Sequence, residues 1–299
     1  MNKRPENVEP IVATQTNVPP ALLFEMLRSF VVLSETLNLS HAVQQLGSTR
    51  QTVRRHIASL EEIKGGLLFD VKDRRYGLSA LGERILPEAQ DLVATAAAWY
   101  NGNAGRIEGL QYINHVNPEG WHFFQQQHPI SRAFSSTGVD LQRVLRGWVE
   151  AGGQLEHEAM RLVRPYCNVF RRFDGNLIFA EVGDESSFVS WFGEDTARST
   201  IGRALGQMPG GTAFGRLVDL AYEEIEATQS IRLDHVHTLL PYGETGNLLP
   251  ITYERLMLGS RFPDQSMAIV SAVRRTYDVE IKGVNEAMIR QMPQNLEMA

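Results

Sequence analysis

The chain has 299 residues, 43% of them hydrophobic, a formal net charge of −6 and a single cysteine, Cys167. That length predicts two domains of ordinary globular composition. One cysteine excludes an intramolecular disulfide framework and fits a reducing cytoplasm, with an inert buried thiol preferred to a redox sensor. No apolar run approaches the ~18 residues of a membrane span, and the first 20 residues lack a signal-peptide core, so a soluble, unexported protein is expected.

Residues 1–20 are polar, end in Pro19-Pro20 and read as a loose tail. Leu23, Met26, Leu27, Phe30 and Val31 then repeat at helical spacing. A short second helix follows, with Ser40 as the expected N-cap, Ala42, Val43 and Leu46 facing inward, and Gly47 as the stop. Thr49 is expected to cap a third helix in which Val53, Ile57 and Leu60 form the apolar stripe. Gln51, Arg55 and Ala58 fall on the opposite face, with Arg54 on its flank. Helix, tight turn and an Arg- and Gln-bearing second helix are helix-turn-helix geometry. Gly65-Gly66 ends the third helix, and two short strands around Lys72-Asp73-Arg74-Arg75 make a basic-tipped hairpin, the wing of a winged helix. From Ser48 to Ser79 there are seven Lys/Arg against four Asp/Glu, concentrated where phosphates would lie.

Residues 23–93 resemble the N-terminal domain of the LysR-type transcriptional regulators. The resemblance is carried by Phe30, Ala42, Leu46, Val53, Arg55, Ile57, Leu60, Glu61, Gly66, Leu68-Phe69, Leu78-Ser79 and Gly82, in register without a gap. There are departures: Thr49-Arg50-Gln51 stands where the family usually has Ser-Gln-Pro, Arg54 where it has Ser, and Val71 where it has Arg. Base preference is therefore not carried over. What the resemblance implies is a bacterial, sequence-specific regulator on double-stranded DNA. Its contacts are expected from Ser40, Thr49, Arg50, Gln51, Thr52, Arg54, Arg55, Lys72, Arg74 and Arg75.

Ser79 is expected to cap a helix over 80–100, with Pro87 a candidate kink. Leu81, Ile85, Ala89, Leu92, Ala96 and Trp99 form a narrow seam on it. In the LysR family this linker helix pairs with its twin, which implies a homodimer or a dimer of dimers; the competing reading packs the seam on the same chain. Residues 101–105 read as a hinge, and 106–165 as a mainly helical connector with a weak strand at 110–113, an aromatic cluster at Trp121, Phe123 and Phe124, and helices near 140–151 and 155–164.

Residues 101–299 hold 18 basic and 24 acidic residues, so this part is expected to sense or dimerise rather than touch nucleic acid. Strands at 167–173 and 177–182 flank the turn Asp174-Gly175-Asn176. Helical pieces are expected at 186–192, 201–205 and 214–228, then three strands at 231–240, 248–257 and 267–277. Two strands, a helical middle and three strands resemble a PAS-like sensor domain, a five-stranded antiparallel sheet over 166–282, followed by a tail over 283–299. Such a fold implies an effector pocket, for which Trp191, Phe214, Tyr222 and His235 are the expected lining. The expected fold class is therefore multi-domain, α plus α+β.

No catalytic constellation emerges. His235 and His237 share a strand face and could hold a metal or haem, but no Cys or carboxylate stands at ligand spacing. Glu223, Glu224 and Glu226 read as a solvated helix face, Pro209-Gly210-Gly211-Thr212 as a loop lacking the phosphate-binding Lys, and His128 and His157 stand beside no nucleophile. No metal or cofactor is expected. A cytoplasmic, nucleoid-associated regulator with a small-molecule effector is the first reading. The second is an enzyme or protein-interaction domain fused to a winged helix for autoregulation.

Overall fold

The computed structural model describes residues 19–72, 75–117, 120–134, 139–205, 211–242 and 247–296, without the side chains of 139–140, 211–218 and 242. The chain divides into two compact units, 1–93 and 94–299.

In the first unit, α1 (Leu23–Thr36) turns Met26, Leu27, Phe30, Val31 and Leu33 into the core. It ends at Leu37, a leucine in the left-handed region (φ 46°). The second helix, α2 (Leu39–Leu46), is capped by Asn38, whose side chain accepts from the Ser40 and His41 amides at 2.9 and 3.3 Å. The expected cap, Ser40, sits two residues too far in, and its hydroxyl instead accepts from Arg50 Nη2 at 2.9 Å. Gly47 closes α2 with φ 59°. Thr49 caps α3 (Arg50–Lys64), accepting from the Thr52 amide at 3.1 Å, and Gly65 at φ 73° ends it. Val53, His56, Ile57 and Leu60 are buried along α3. His56 Nδ1 meets Ser29 Oγ at 2.8 Å, a buried polar tie between α1 and α3.

The hairpin β1 (Phe69–Lys72) and β2 (Arg75–Leu78) pairs Phe69 with Leu78 and Lys72 with Arg75. Glu61 Oε1 accepts the Leu68 amide at 2.8 Å and so fixes where the hairpin leaves α3. Helix α4 (Ala80–Tyr100) begins with Ser79 Oγ accepting the Gly82 amide at 3.0 Å. A Cβ on Gly82 would lie 2.2 Å from Leu68 O, so only glycine lets α4 approach this closely. Ala89, with Leu81, Ile85, Leu86 and Val93 around it, belongs to the first unit's core, while Ala94 and Ala98 belong to a core of the second.

The second unit continues with β3 (Ala104–Ile107), β4 (Leu110–Val116), β5 (His122–His128), α5 (Val139–Glu150), α6 (Glu158–Arg161), β6 (Cys167–Phe173) and β7 (Asn176–Val182). After them come α7 (Ser187–Phe192), α8 (Glu194–Thr200), α9 (Gly211–Thr228), β8 (Ile231–Tyr242), β9 (Asn247–Arg261), β10 (Met267–Arg275) and α10 (Glu286–Ile289). Among the described residues the sheet has eight strands in the order β3-β4-β5-β8-β9-β10-β6-β7, every neighbouring pair antiparallel. The expected five strands are β6 to β10, and the count of five is corrected to eight. Of the other three, β4 contains the weak strand expected at 110–113, β3 starts inside the expected hinge, and β5 was missed because the run Gln125-Gln126-Gln127 hides the apolar alternation that marks a strand. The expected hinge likewise ends early, since Ala104 and Gly105 already pair with Ile113 and Tyr112.

Residues 201–205 are not a helix. Gly202 at φ 83° turns the chain, and amides and carbonyls of 202–205 bond the free edge of β7 at Leu177 and Phe179. The expected tail over 283–299 contains α10, and Val279, Ile281 and Ile289 pack with Phe124. One sheet face packs Phe123, Val236, Met257 and Ile269 beneath Tyr222 and Ile225 of α9. The other packs Leu233, Leu256 and Val270 against Leu141, Val144, Leu145 and Met160 of α5 and α6.

Candidate functional site

Burial on α3 is one-sided. Arg50, Gln51, Arg54, Arg55 and Ala58 are exposed, opposite the buried Val53, Ile57 and Leu60. Of the residues expected to touch DNA, Thr49 and Thr52 join their hydroxyls at 2.9 Å, and Arg50 holds Ser40. Thr49 and Thr52 thus close the start of α3, and Arg50 ties it to α2 through Ser40. Gln51, Arg54 and Arg55 project without a partner among the described residues, leaving an amide and two guanidinium groups to donate. Lys72 and Arg75 stand exposed and opposite each other on the hairpin; Arg74 lies outside the described residues.

The seam on α4 divides. Leu81, Ile85 and Ala89 pack into the first unit's own core, Ala96 is half-buried, and Leu92 (51%) and Trp99 (71%) are exposed. The expected pocket residues are not brought together. Tyr222 lies on the α9 side of the sheet, His235 on the α5 side, and Trp191 clusters with Ile251, Met292 and Leu296. The Phe214 side chain is outside the described residues.

His235 and His237 are fully buried, and each has near neighbours. His235 Nδ1 accepts the Glu280 amide at 2.9 Å, and its ring lies 3.9 Å from that of His128. His237 stacks on His122, their Nε2 atoms 3.2 Å apart. Burial, reinforced by the facing histidine, pushes both His128 and His237 down to about 4. Among the described residues no group of three or more His, Cys, Asp or Glu could hold a metal ion. The Cys167 thiol is buried, donates to Val163 O, and is pushed up to about 12 by burial, which keeps it in the unreactive thiol form.

Sequence reading missed a buried charge network. Arg232, Asp234 and Arg255 meet under α9, and Glu254 holds Arg274 at 2.6 Å on the opposite face. Glu224, read as solvated, pairs with Arg232, and Glu226 pairs with Arg172. The signal was present: Arg232-Leu233-Asp234 and Glu254-Arg255 are charges inside apolar strand runs, where only paired charges are tolerated.

Three helices, a tight turn, a recognition helix with an exposed donor face and a two-stranded wing define a winged helix-turn-helix domain. Residues 24–83 match the family model described as "Bacterial regulatory helix-turn-helix protein, lysR family". The chain is 37% identical over 90 residues to the HTH-type transcriptional regulator ShiR of Corynebacterium glutamicum, covering 29% of this chain and 30% of that protein. It is 34% identical over 85 residues to a probable hydrogen peroxide-inducible genes activator of Mycobacterium avium, covering 28% and 27%. The chain thus matches about a third or less of the length of these curated relatives. The solved CbnR DNA-binding domain in complex with DNA is 24% identical, covering 26% of this chain and 91% of that one, at a TM-score of 0.25. No helix among the described residues is long and apolar enough to cross a membrane.

Proposed function

We propose that the protein is a sequence-specific, DNA-binding transcriptional regulator of LysR type. On this reading it acts in the cytoplasm as a dimer, with a PAS-like sensor over residues 166–282 that answers to a small effector. The observation that carries the reading is the outward face of α3. Gln51, Arg54 and Arg55 are unpaired donors held on a helix whose other face is locked into the core, in a segment that matches a regulatory helix-turn-helix family. Such a face can dock in a major groove, where Arg to guanine and Gln to adenine are the commonest pairings.

Two further observations support the rest. Leu92 and Trp99 are each exposed apolar side chains of the kind that a second copy would cover. The chain order of two strands, three helices and three strands, assembled as five adjacent antiparallel strands, favours the PAS-like reading of β6 to β10. Selection from random double-stranded DNA tests the proposal. The full chain should enrich a sequence with two related half-sites, whereas recovery of unenriched DNA would contradict it. Replacing Leu92 and Trp99 together by Asp should give monomers in light scattering; an unchanged dimer mass would move the interface elsewhere.

A further inference from the structure

We infer that the α9-facing side of the sheet holds a binding site for a small carboxylate, built on Arg232, Arg255 and Gln125. Each of these side chains is almost wholly withdrawn from solvent: 2%, 5% and 0% exposed. Arg232 Nε donates to both oxygens of Asp234 at 2.9 and 3.1 Å, and its Nη1 to Gln111 Oε1 at 2.7 Å and Glu224 Oε2 at 2.9 Å. Arg255 Nη1 donates to the Tyr222 hydroxyl at 3.2 Å, and its Nη2 to Gln125 Oε1 at 2.9 Å and Asp234 Oδ2 at 3.0 Å. Because Gln125 Oε1 already accepts from a guanidinium, its amide cannot be turned round without setting NH2 against a cation.

What is left over is one-sided. Arg232 Nη2, Arg255 Nε and Gln125 Nε2 are buried without a hydrogen-bond partner. All three are donors, and no unpartnered acceptor belongs to these side chains. The charges balance two against two, but their burial does not. Two buried guanidinium groups face one fully buried carboxylate, Asp234, while the second, Glu224, has a side chain 43% exposed. Buried donors left unmade are costly, and guanidinium groups pair best with a carboxylate, which only accepts. A water molecule can take one of these hydrogens, but it brings two donors of its own and no charge.

The inference deepens the sensor reading above and rests on it only for its regulatory meaning. Binding itself is read without DNA, so failure of either idea is visible separately. The experiment follows the Tm of the full chain with increasing acetate or formate, against acetamide and formamide as neutral isosteres. Wild-type protein should show a saturable rise with the carboxylates and none with the amides. Gln125→Glu places a carboxylate beside Arg255 within the chain itself; it should raise Tm in plain buffer and abolish the rise with acetate. Gln125→Leu, which removes a donor without adding charge, should weaken the response without raising Tm. An acetate response no larger than that to acetamide, or one unchanged in Gln125→Glu and Gln125→Leu, means that these donors meet only water, and the inference falls.

Discussion

Arginine occupies two opposite situations in this molecule. On α3, Arg54 and Arg55 are exposed, and neither holds a described partner. Under α9, Arg232 and Arg255 are buried and ringed by Asp234, Gln111, Gln125, Glu224 and Tyr222. The same side chain is cheap to leave unpaired in water and costly to leave unpaired in the interior. Removing one from the surface should therefore change binding and spare the fold. Disturbing one inside should change the fold first.

The largest effect is expected at Asp234. Asp234→Ala leaves two buried guanidinium groups facing each other without their shared carboxylate and should destabilise the second unit by roughly 3–5 kcal/mol. Denaturant unfolding of the full chain measures this. A loss within the range of a surface substitution would mean that water already reaches the network, and the contrast would fail. Next comes Gly82→Ala, whose Cβ would meet Leu68 O at 2.2 Å. Pushing α4 off the hairpin should cost about 1–3 kcal/mol of the first unit's stability and leave the second unit's transition unmoved.

Acid separates the units in another way. His128 and His237 have their pKa lowered from 6.5 to about 4, first by burial and then by the histidine each one faces. As the pH falls below 6.5 the unfolded chain takes up these protons and the folded chain does not, so stability is full above that value and drains away down to about 4. The two together should be worth roughly 1–3 kcal/mol, with His128 contributing less because solvent screens it. His237→Gln should flatten the pH dependence of Tm across this window. An equally steep profile in that variant would place the acid sensitivity elsewhere.

Much of the first unit is legible in the chain because each of its elements carries its own local signal. Thr49 and Gly65 bracket α3, Val53, Ile57 and Leu60 give its phase, and Ser79 starts α4. The one slip there, Ser40 for Asn38, is a choice between two residues that both cap well. In the second unit the hairpin β6–β7 was legible because Asp174 and Gly175 both take positive φ in a two-residue turn. Strand β4 showed only as a weak strand at 110–113, and β5 was not legible, because it buries Gln125 and Gln126 through pairing with distant strands rather than through local pattern. The pocket residues failed for a related reason: sequence shows that Tyr222 and His235 are both inward-facing, but not that a sheet stands between them. Arg54 and Arg55 needed only the phase of one helix, whereas the partners of Arg232 come from three separate elements.

The smallest change expected in the fold and the sharpest in function meet at Arg55. Arg55→Ala should leave Tm within the range of an ordinary surface substitution, about 0.5 kcal/mol. The measurement that bears most directly on the proposed DNA-reading role of the α3 face compares wild-type and Arg55→Ala protein on the sequence selected by the wild type and on single-base variants of it, at fixed salt. The variant should bind the selected sequence more weakly by roughly 1–3 kcal/mol and lose preference at one position in each half-site. Unchanged affinity with unchanged preference would contradict the assignment of this face to base recognition.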